Sequence, residues 1–286
     1  MGERLKGKVA VITGAAGGGV GEAAASALSA EGALIVVNDI SRDSQGGYEA
    51  DKVVRKIIET GGTAVANYES VATMGGGEKI VETALNTYGR IDTLVNCAGN
   101  FRGVPTTELT ENEWDSIISV HLKGHFSCIK AALPMMIKQK TGRIINFSSR
   151  AAFGGGGNLA YTAAKAGILG LTTMLSVELK EHNITVNAIL PSADTKMFPG
   201  PRPQFARKTM IESMFLEPHY IAPMITYLAT DEAQGVTGRF IYSSGGDFCL
   251  YSLPIQLKAE APVFVRKMGK WTVDELVDVM PSLGFQ

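Results

Sequence analysis

The chain reads VAVITGAAGGGVG over residues 9–21, and this stretch decides the fold. Its first five residues are apolar or β-branched and predict a buried strand, and an alanine-rich stretch after the glycines predicts a helix. Glycines at such a turn let the backbone approach a pyrophosphate, whose charge then meets free N–H groups at the helix N-terminus. The stretch therefore indicates a dinucleotide site, although glycines also serve ordinary tight turns. Its candidate cofactor contacts are Gly14, Gly19, Val20 and Gly21.

An acidic residue follows the second predicted strand. Residues 34–38 read LIVVN and are followed by Asp39, which lies roughly 20 residues past the glycines. A carboxylate at that position can accept both ribose hydroxyls of NAD and would repel the 2′-phosphate of NADP. Asp39 therefore predicts NAD as the cofactor, with a helix or turn cap as the alternative interpretation.

The alternation of strand and helix continues along the chain. Because the predicted strands are apolar at nearly every position, they are expected to be buried on both faces of a parallel sheet. We therefore predict an α/β, Rossmann-type doubly wound parallel sheet with helices on both faces. Strands are predicted at 9–13, 34–38, 63–67, 93–97, 144–147, 185–190 and 239–242, and helices at 23–30, 53–59, 78–88, 114–138 and 160–181.

No linker of low complexity and no repeat divides the chain, so we predict one domain over residues 1–250. Residues 192–218 are rich in Pro and Met and are interpreted as a substrate lid, whose Arg202, Arg207 and Lys208 could meet phosphates. A mobile, solvated lid face is the alternative. Residues 251–286 are expected to form a C-terminal extension that packs at the substrate site or a subunit interface.

Composition excludes several classes of function. The formal charge is −1, with 27 basic and 28 acidic residues, which argues against a nucleic-acid surface. No apolar run is long enough to predict a membrane span. The three cysteines are scattered and the four histidines lack metal-ligand spacing, so we predict no metal site and a reducing, cytoplasmic location.

Further motifs make the chain resemble the short-chain dehydrogenase/reductase family over about residues 5–250. They are NCAG at 96–99, SS at 148–149, YTAAK at 161–165, and Pro191 followed by Thr195. Within that family the chain is most similar to the 3-hydroxyacyl-CoA dehydrogenase domain of peroxisomal multifunctional enzymes, through residues 37–39, 66–71, 120–122 and 220–223. The glycine loop departs from the family pattern, because four residues separate Thr-Gly from Gly-x-Gly where three are usual. One residue is therefore expected to loop outward, and the sequence does not say which of Gly17, Gly18 and Gly19 contact the cofactor.

The resemblance implies an oxidoreductase that interconverts a secondary alcohol and a ketone. Tyr161 would act as general acid/base, and Lys165, on the same helical face, would lower the pKa of Tyr161 and bind the nicotinamide ribose. Ser149 would donate a hydrogen bond to the carbonyl oxygen, although Ser148 also fits the spacing. His121 replaces the family's usual Asn, so that a proton-relay role and an ordinary helix histidine both stay open. Considered individually, Tyr161 could be an aromatic residue of the core, and Lys165 could be a solvated charge on the helix.

The same resemblance assigns further cofactor contacts, for which ordinary strand-end polar residues are the alternative. They are Glu69 and Ser70 near the adenine, Asn96, Ala98 and Gly99 beside the adenosine ribose, and Pro191 and Thr195 at the nicotinamide.

The expected substrate is a small molecule, a 3-hydroxyacyl-CoA. A hydroxysteroid or another lipophilic alcohol is the alternative within the enzyme class, and a dinucleotide-binding protein without turnover is the alternative from another class. We also expect a homotetramer, because members of the family commonly pair the two long helices predicted here. Apolar positions on these helices, such as Ile117, Phe126, Leu171 and Leu175, exceed what one sheet face needs.

Overall fold

The structure, a computed structural model, describes residues 2–154, 157–195, 216–244 and 247–251. Eight strands in these residues form one sheet, of which the first seven pair in parallel and the last pairs antiparallel. The strands are β1 (Val9–Thr13), β2 (Leu34–Asn38), β3 (Thr63–Asn67), β4 (Thr93–Asn96), β5 (Gly142–Phe147), β6 (Ile184–Pro191), β7 (Phe240–Ser244) and β8 (Asp247–Leu250). Their order in the sheet is β3-β2-β1-β4-β5-β6-β7-β8.

Helices connect the parallel strands. They are α1 (Val20–Ala30), α2 (Glu49–Glu59), α3 (Met74–Tyr88), α4 (Glu111–Ile118), α5 (Gly124–Gln139), α6 (Leu159–Glu178) and α7 (Ala222–Ala229). A π-helical turn, Ser119–Lys123, joins α4 to α5, so the single long helix predicted there is interrupted in the middle. In the described part of the chain, 3-10 turns are formed by Thr106–Glu108, Arg150–Phe153, Lys180–His182 and Pro218–Tyr220.

Alternate residues of each central strand pack on opposite faces of the sheet. Ala10 and Ile12 face a cluster formed with α1, α2 and α7, whereas Val9 and Val11 face a cluster formed with α3 and α5. All four side chains are fully buried, which is why the strand shows no alternation of polar and apolar residues. The structure thus confirms the predicted doubly wound parallel sheet with helices on both faces.

The order of the strands creates the crevice in which a ligand can bind. The chain moves from β1 outward to β3 and then returns to place β4 on the other side of β1. The register pairs Thr13 with both Asn38 and Asn96, so that the carboxyl ends of β1, β2 and β4 share one edge. Ligands of open α/β sheets bind at such a switch point.

The described residues form one compact unit that reaches Tyr251. Most of the predicted lid, including Arg202, Arg207 and Lys208, lies outside the described residues, as does residue 252 onward, so the lid and the extension stay predictions. The two ends of the lid are close together, because the Asp194 N–H donates to the Leu216 carbonyl at 2.7 Å. No helix in the described part of the chain has the length and apolarity needed to cross a membrane.

Candidate active site

A cavity of about 580 Å³ lies at the carboxyl ends of β1, β4, β5 and β6. It is the crevice expected at the switch point, and it brings together residues that are far apart in the chain. The predicted site residues that line it are Gly14, Gly19, Val20, Gly21, Asp39, Gly99, His121, Ser149, Tyr161, Lys165, Pro191 and Thr195. Ser148 lines it as well.

The glycine loop forms one wall of the cavity. A side chain at Gly14 would lie 2.6 Å from the Cα of Ala98, and one at Gly21 would clash with the Gly14 carbonyl, so both positions require glycine. Gly19 is the N-cap of α1 and lacks a side-chain cap, which leaves the first N–H groups of this helix for an anion. Gly17 and Gly19 line the cavity, whereas Gly18 is exposed and does not.

Asp39 lies at the end of β2, against the glycine loop. One carboxylate oxygen accepts a hydrogen bond from the Ala16 N–H at 3.0 Å, and the other accepts one from the Ser41 N–H at 2.8 Å. Asp39 therefore caps the turn, which is the alternative role that the sequence left open. Because each carboxylate oxygen can accept a second hydrogen bond, both could still accept ribose hydroxyls. The loop and Asp39 thus fit the adenosine half of a dinucleotide.

Four of the expected cofactor contacts do not line the cavity. Asn96 is buried and donates to the Asn146 side chain at 3.0 Å, and Ala98 contributes its backbone N–H to the Thr13 hydroxyl at 3.2 Å. Glu69 pairs with Lys79 at the end of β3. Ser70, its neighbour, accepts from the Ala72 N–H. A contact of these residues with the adenosine stays a prediction.

The two neighbouring serines have different partners. Ser148 is buried, and its hydroxyl donates to the Lys165 carbonyl at 2.8 Å. The Ser149 hydroxyl accepts from the Ala151 N–H at 3.1 Å and is hydrogen-bonded to Tyr161, an interaction that lowers the pKa of Tyr161. Ser149, and not Ser148, is therefore the serine in contact with the tyrosine.

Tyr161 and Lys165 lie one turn apart at the start of α6. Asn158 caps this helix by accepting the Tyr161 N–H at 2.8 Å, which fixes the first turn. The ammonium nitrogen of Lys165 lies 5.5 Å from the centre of the Tyr161 ring and donates to the Phe147 carbonyl at 2.6 Å. The structure thus holds a phenol, a hydroxyl and a buried cation within one pocket.

Burial moves the pKa values of both residues toward the neutral forms. It raises the pKa of Tyr161 to about 12, and it lowers the pKa of Lys165 to about 8. Desolvation is the largest effect on the pKa of Tyr161 in this structure, so the expectation that Lys165 lowers this pKa stays a prediction. The position of Tyr161 in the first turn of a 20-residue helix does favour a phenolate.

His121 lies in the π-helical turn and is completely buried. Its Nε2 is 2.7 Å from the Asn100 carbonyl oxygen, while its Nδ1 has no hydrogen-bond partner among the described residues. Its ring stands edge-on to Tyr161, with 5.2 Å between ring centres. Burial and then the charge of Lys165 lower the pKa of His121 to about 3, so that the imidazole is neutral at pH 7.

Sequence reasoning missed several residues that line the cavity. Asn100 holds His121, and Phe101 packs edge-on against Tyr161 with 5.3 Å between ring centres. Both directly follow the NCAG motif after β4. Their position at the carboxyl edge of the sheet, where ligands bind, could have predicted that they line the cavity. Within the described residues, no group of three His, Cys, Asp or Glu side chains could hold a metal ion.

Comparison with known proteins identifies the family. A profile described as short chain dehydrogenase matches residues 8–203. The peroxisomal multifunctional enzyme type 2 of Mus musculus is 41% identical over 247 residues, which are 85% of this chain and 32% of that protein. This chain thus spans about a third of the length of that relative.

Two further relatives are matched along nearly their whole length. The 3-oxoacyl-(acyl-carrier-protein) reductase of Thermotoga maritima is 36% identical over 248 residues, which cover 85% of this chain and 98% of the reductase. The crystal structure of a short chain dehydrogenase from Mycobacterium avium superposes with a TM-score of 0.85 and 36% identity, covering 98% of this chain and 96% of the other. This chain belongs to the short-chain dehydrogenase family, whose members are oxidoreductases that typically use a nicotinamide dinucleotide.

Proposed function

We propose that the protein is an NAD-dependent dehydrogenase of 3-hydroxyacyl-CoA, with Tyr161 as general acid/base. One observation carries the proposal: the hydrogen-bonded pair of Ser149 and Tyr161 lies beside buried Lys165 in the same cavity as the glycine loop. An acid/base group, a polarising hydroxyl and a dinucleotide cradle are the components that transfer of a hydride to a carbonyl requires. Their assembly argues against a binding protein without turnover.

The choice of NAD over NADP rests on Asp39. Its carboxylate lines the cavity beside the glycine loop and has already accepted one backbone N–H on each oxygen. Remaining lone pairs can accept the hydroxyls of an adenosine ribose, whereas a 2′-phosphate would meet a negative charge at short range. The N–H groups of Gly19, Val20 and Gly21 would hold the pyrophosphate, and Lys165 and Thr195 would hold the nicotinamide half.

Side chains of this chain would then transfer the proton to and from the substrate oxygen. During reduction, negative charge develops on the carbonyl oxygen, and the protonated Tyr161 donates its proton to that oxygen. The Ser149 hydroxyl stabilises the same charge by a hydrogen bond. During oxidation Tyr161 must first lose its proton, which a pKa of about 12 opposes, so the ammonium of Lys165 has to hold the phenolate. A bound nicotinamide dinucleotide would exchange the hydride with the substrate carbon, and its cationic oxidised ring would also favour phenolate.

We place His121 at the end of the proton path. Its ring packs against Tyr161, and the charge of Lys165 is close enough to lower the pKa of the imidazole. Its Nδ1 has no protein partner among the described residues, so the imidazole would pass a proton from Lys165 once a water reaches this buried nitrogen.

The substrate class is inferred from two relatives. The mouse relative is named as a multifunctional enzyme of peroxisomes, and the bacterial relative is named as a reductase of a 3-oxoacyl group on a carrier protein. The 3-oxoacyl and 3-hydroxyacyl groups are the ketone and the alcohol of one reaction. A cytoplasmic location of this chain stays a prediction.

A panel of substrates tests the proposal. The protein is incubated with 3-hydroxyacyl-CoA thioesters, the same 3-hydroxy acids without CoA, and hydroxysteroids, each with NAD and with NADP. We expect the thioesters with NAD to give the highest kcat/KM, because binding energy from the CoA group can align the reacting carbon. Turnover of steroids without turnover of any thioester would favour the alternative substrate class. Equal activity with NADP would contradict the role of Asp39.

A further inference from the structure

One residue of the lengthened glycine loop, Gly18, is held outside the cofactor cavity by a specific contact. The Gly18 N–H donates to a carboxylate oxygen of Glu22 at 2.7 Å. Gly18 is exposed and lines a separate groove between α1 and α7, while its neighbours Gly17 and Gly19 line the cofactor cavity. The loop thus turns Gly18 outward, and Glu22 is the side chain that holds Gly18 in this position.

Glu22 is well placed for this contact. It is the third residue of α1, so its carboxylate can reach back over the helix N-terminus, where a negative charge is favourable. Its second carboxylate oxygen lies 3.3 Å from the Lys56 ammonium of α2. Because the Lys56 side chain is 61% exposed, water screens this ion pair and its contribution is small.

The loop needs such a contact because its two consecutive glycines can adopt many backbone conformations. Gly17 and Gly18 have φ values of +75° and +79°, and a side chain at either position would meet nothing within 4 Å. Packing therefore does not restrain this part of the loop, and glycine readily visits many conformations. A cofactor that binds a mobile loop has to order it, which lowers affinity.

We propose that Glu22 is a positioning residue for the dinucleotide: by holding Gly18 outward, it keeps Gly17 and Gly19 in the wall of the cofactor cavity. Glu22 itself does not line that cavity, so its effect on binding is indirect. The proposal rests on the proposed binding of NAD. It gives the longer loop a compensating residue within the same chain.

The test compares Glu22 variants of the wild-type loop with the same variants after deletion of Gly18. Glu22→Ala should raise the Kd and the KM for NAD about tenfold and leave kcat unchanged, because a hydrogen bond to a charged group is lost before chemistry begins. Glu22→Gln retains an acceptor oxygen and should recover most of the affinity. Glu22→Asp keeps the charge but is one methylene shorter, and should behave like Glu22→Ala.

Deletion of Gly18 is the decisive arm. It returns the loop to the usual spacing, so Glu22→Ala in the deletion background should change the Kd for NAD less than twofold. Lys56→Ala, which removes the ion pair and not the hydrogen bond, is the matched control and should stay within about threefold of wild type. Thermal unfolding of every variant reports any loss of stability separately from the Kd.

Two results would overturn the proposal. One is an unchanged Kd in both Glu22→Ala and Glu22→Asp. The other is an equal loss of affinity with and without Gly18, which would mean that Glu22 only stabilises α1. If the wild-type protein preferred NADP, the proposed cofactor choice would fail, and the same comparison carried out with NADP would still decide the role of Glu22.

Discussion

At the scale of single residues, burial governs the acid/base chemistry of the site. Tyr161 is 5% exposed and Lys165 is 4% exposed, and the loss of water favours the uncharged form of each. A pKa of about 12 for Tyr161 leaves the phenol protonated at pH 7, ready to act as an acid toward a ketone. In the proposed mechanism, oxidation of an alcohol therefore needs positive charge beside the phenol, from Lys165 and from an oxidised cofactor.

Replacing Tyr161 with Phe tests the acid/base role directly. Tyr161→Phe removes the hydroxyl and retains the ring that packs against His121 and Phe101. We expect kcat to fall by at least about 100-fold, the lower range for a lost general acid, with the Kd for NAD unchanged. Tyr88→Phe, far from the cavity, is the control and should keep full activity. A Tyr161→Phe variant with most of its activity would show that another group transfers the proton.

His121 should make folding stability depend on pH. Its folded pKa of about 3 lies below the ordinary value of 6.5, so the unfolded chain binds more protons between these limits. Stability is therefore lost as pH falls from 6.5 toward 3, and by pH 5 the loss from His121 amounts to about 2 kcal/mol. Urea unfolding at pH 7.5 and pH 5 should show a smaller difference for His121→Asn than for wild type. The control His182→Asn should leave the wild-type difference intact.

Many residues of the site could be predicted from the sequence, but their contacts could not. Motif and spacing brought Tyr161, Lys165 and Asp39 to the correct edge of the sheet. The sequence could not decide between Ser148 and Ser149. The decision depends on the hydrogen bond from the Ser148 hydroxyl to the Lys165 carbonyl of α6, which only the packed structure shows. The raised pKa of Tyr161 could not be predicted, because the sequence shows the neighbouring charge of Lys165 and does not show the desolvation of the phenol.

At the scale of elements, the first turn of α6 depends on the glycine that precedes its cap. Gly157 has a φ of +94°, and a side chain there would lie 2.9 Å from a ring carbon of Tyr161. Gly154, in the same connection, has a φ of +83° but opens on free space. Both glycines therefore need a positive φ, but only Gly157 lies close enough for a side chain to contact Tyr161.

Alanine substitution separates these two effects. Gly154→Ala and Gly157→Ala should each destabilise the fold by about 1 kcal/mol or more, because an L-residue is strained at positive φ. Only Gly157→Ala should also lower kcat, by about tenfold, since the new methyl group displaces the Tyr161 ring. Thermal unfolding and steady-state kinetics on both variants provide the measurement. Equal loss of activity in the two would mean that the connection, and not the methyl contact, controls the ring.

The boundaries of the strands and helices show which element ends the sequence pattern predicts and which it does not. The first three strands match the prediction residue for residue, because their ends are fully determined by apolar runs and turn residues. The helix α3 begins at Met74, four residues before its predicted start, since the cap Thr73 and three glycines carry no apolar period. The short antiparallel strand β8 is mostly exposed and was missed for the same reason. The π-helical turn leaves no mark in the spacing of apolar residues.

At the scale of the whole molecule, the long helix α6 has an apolar outer face. Met174 and Val177 are 61% and 70% exposed, and Gly170, one turn earlier, opens on free space. Their spacing places them on one side of the helix. Of the positions named from the sequence, Phe126 on α5 is 46% exposed, whereas Ile117 is buried in the core and is withdrawn from the expected contact.

Such a face is expected to be covered by a second copy of the chain. Large exposed apolar side chains beside a small residue allow two helices to approach closely, and a two-fold axis would bury the same stripe on both subunits. The mass of the chain is 30.4 kDa, so light scattering at micromolar concentration should report four times that value for the predicted tetramer. A mass of one chain would contradict the prediction.

Charge placed on this face tests where the subunits meet. Val177→Glu combined with Met174→Glu would bury like charges without partners, which costs several kcal/mol and should reduce the assembly to dimers or monomers. Ile58→Glu on α2, where the side chain is 54% exposed, is the matched control and should leave the mass unchanged. Because α6 also carries Tyr161 and Lys165, loss of the contact should lower activity along with the mass. A tetramer that survived both glutamates would assign the interface to a different surface.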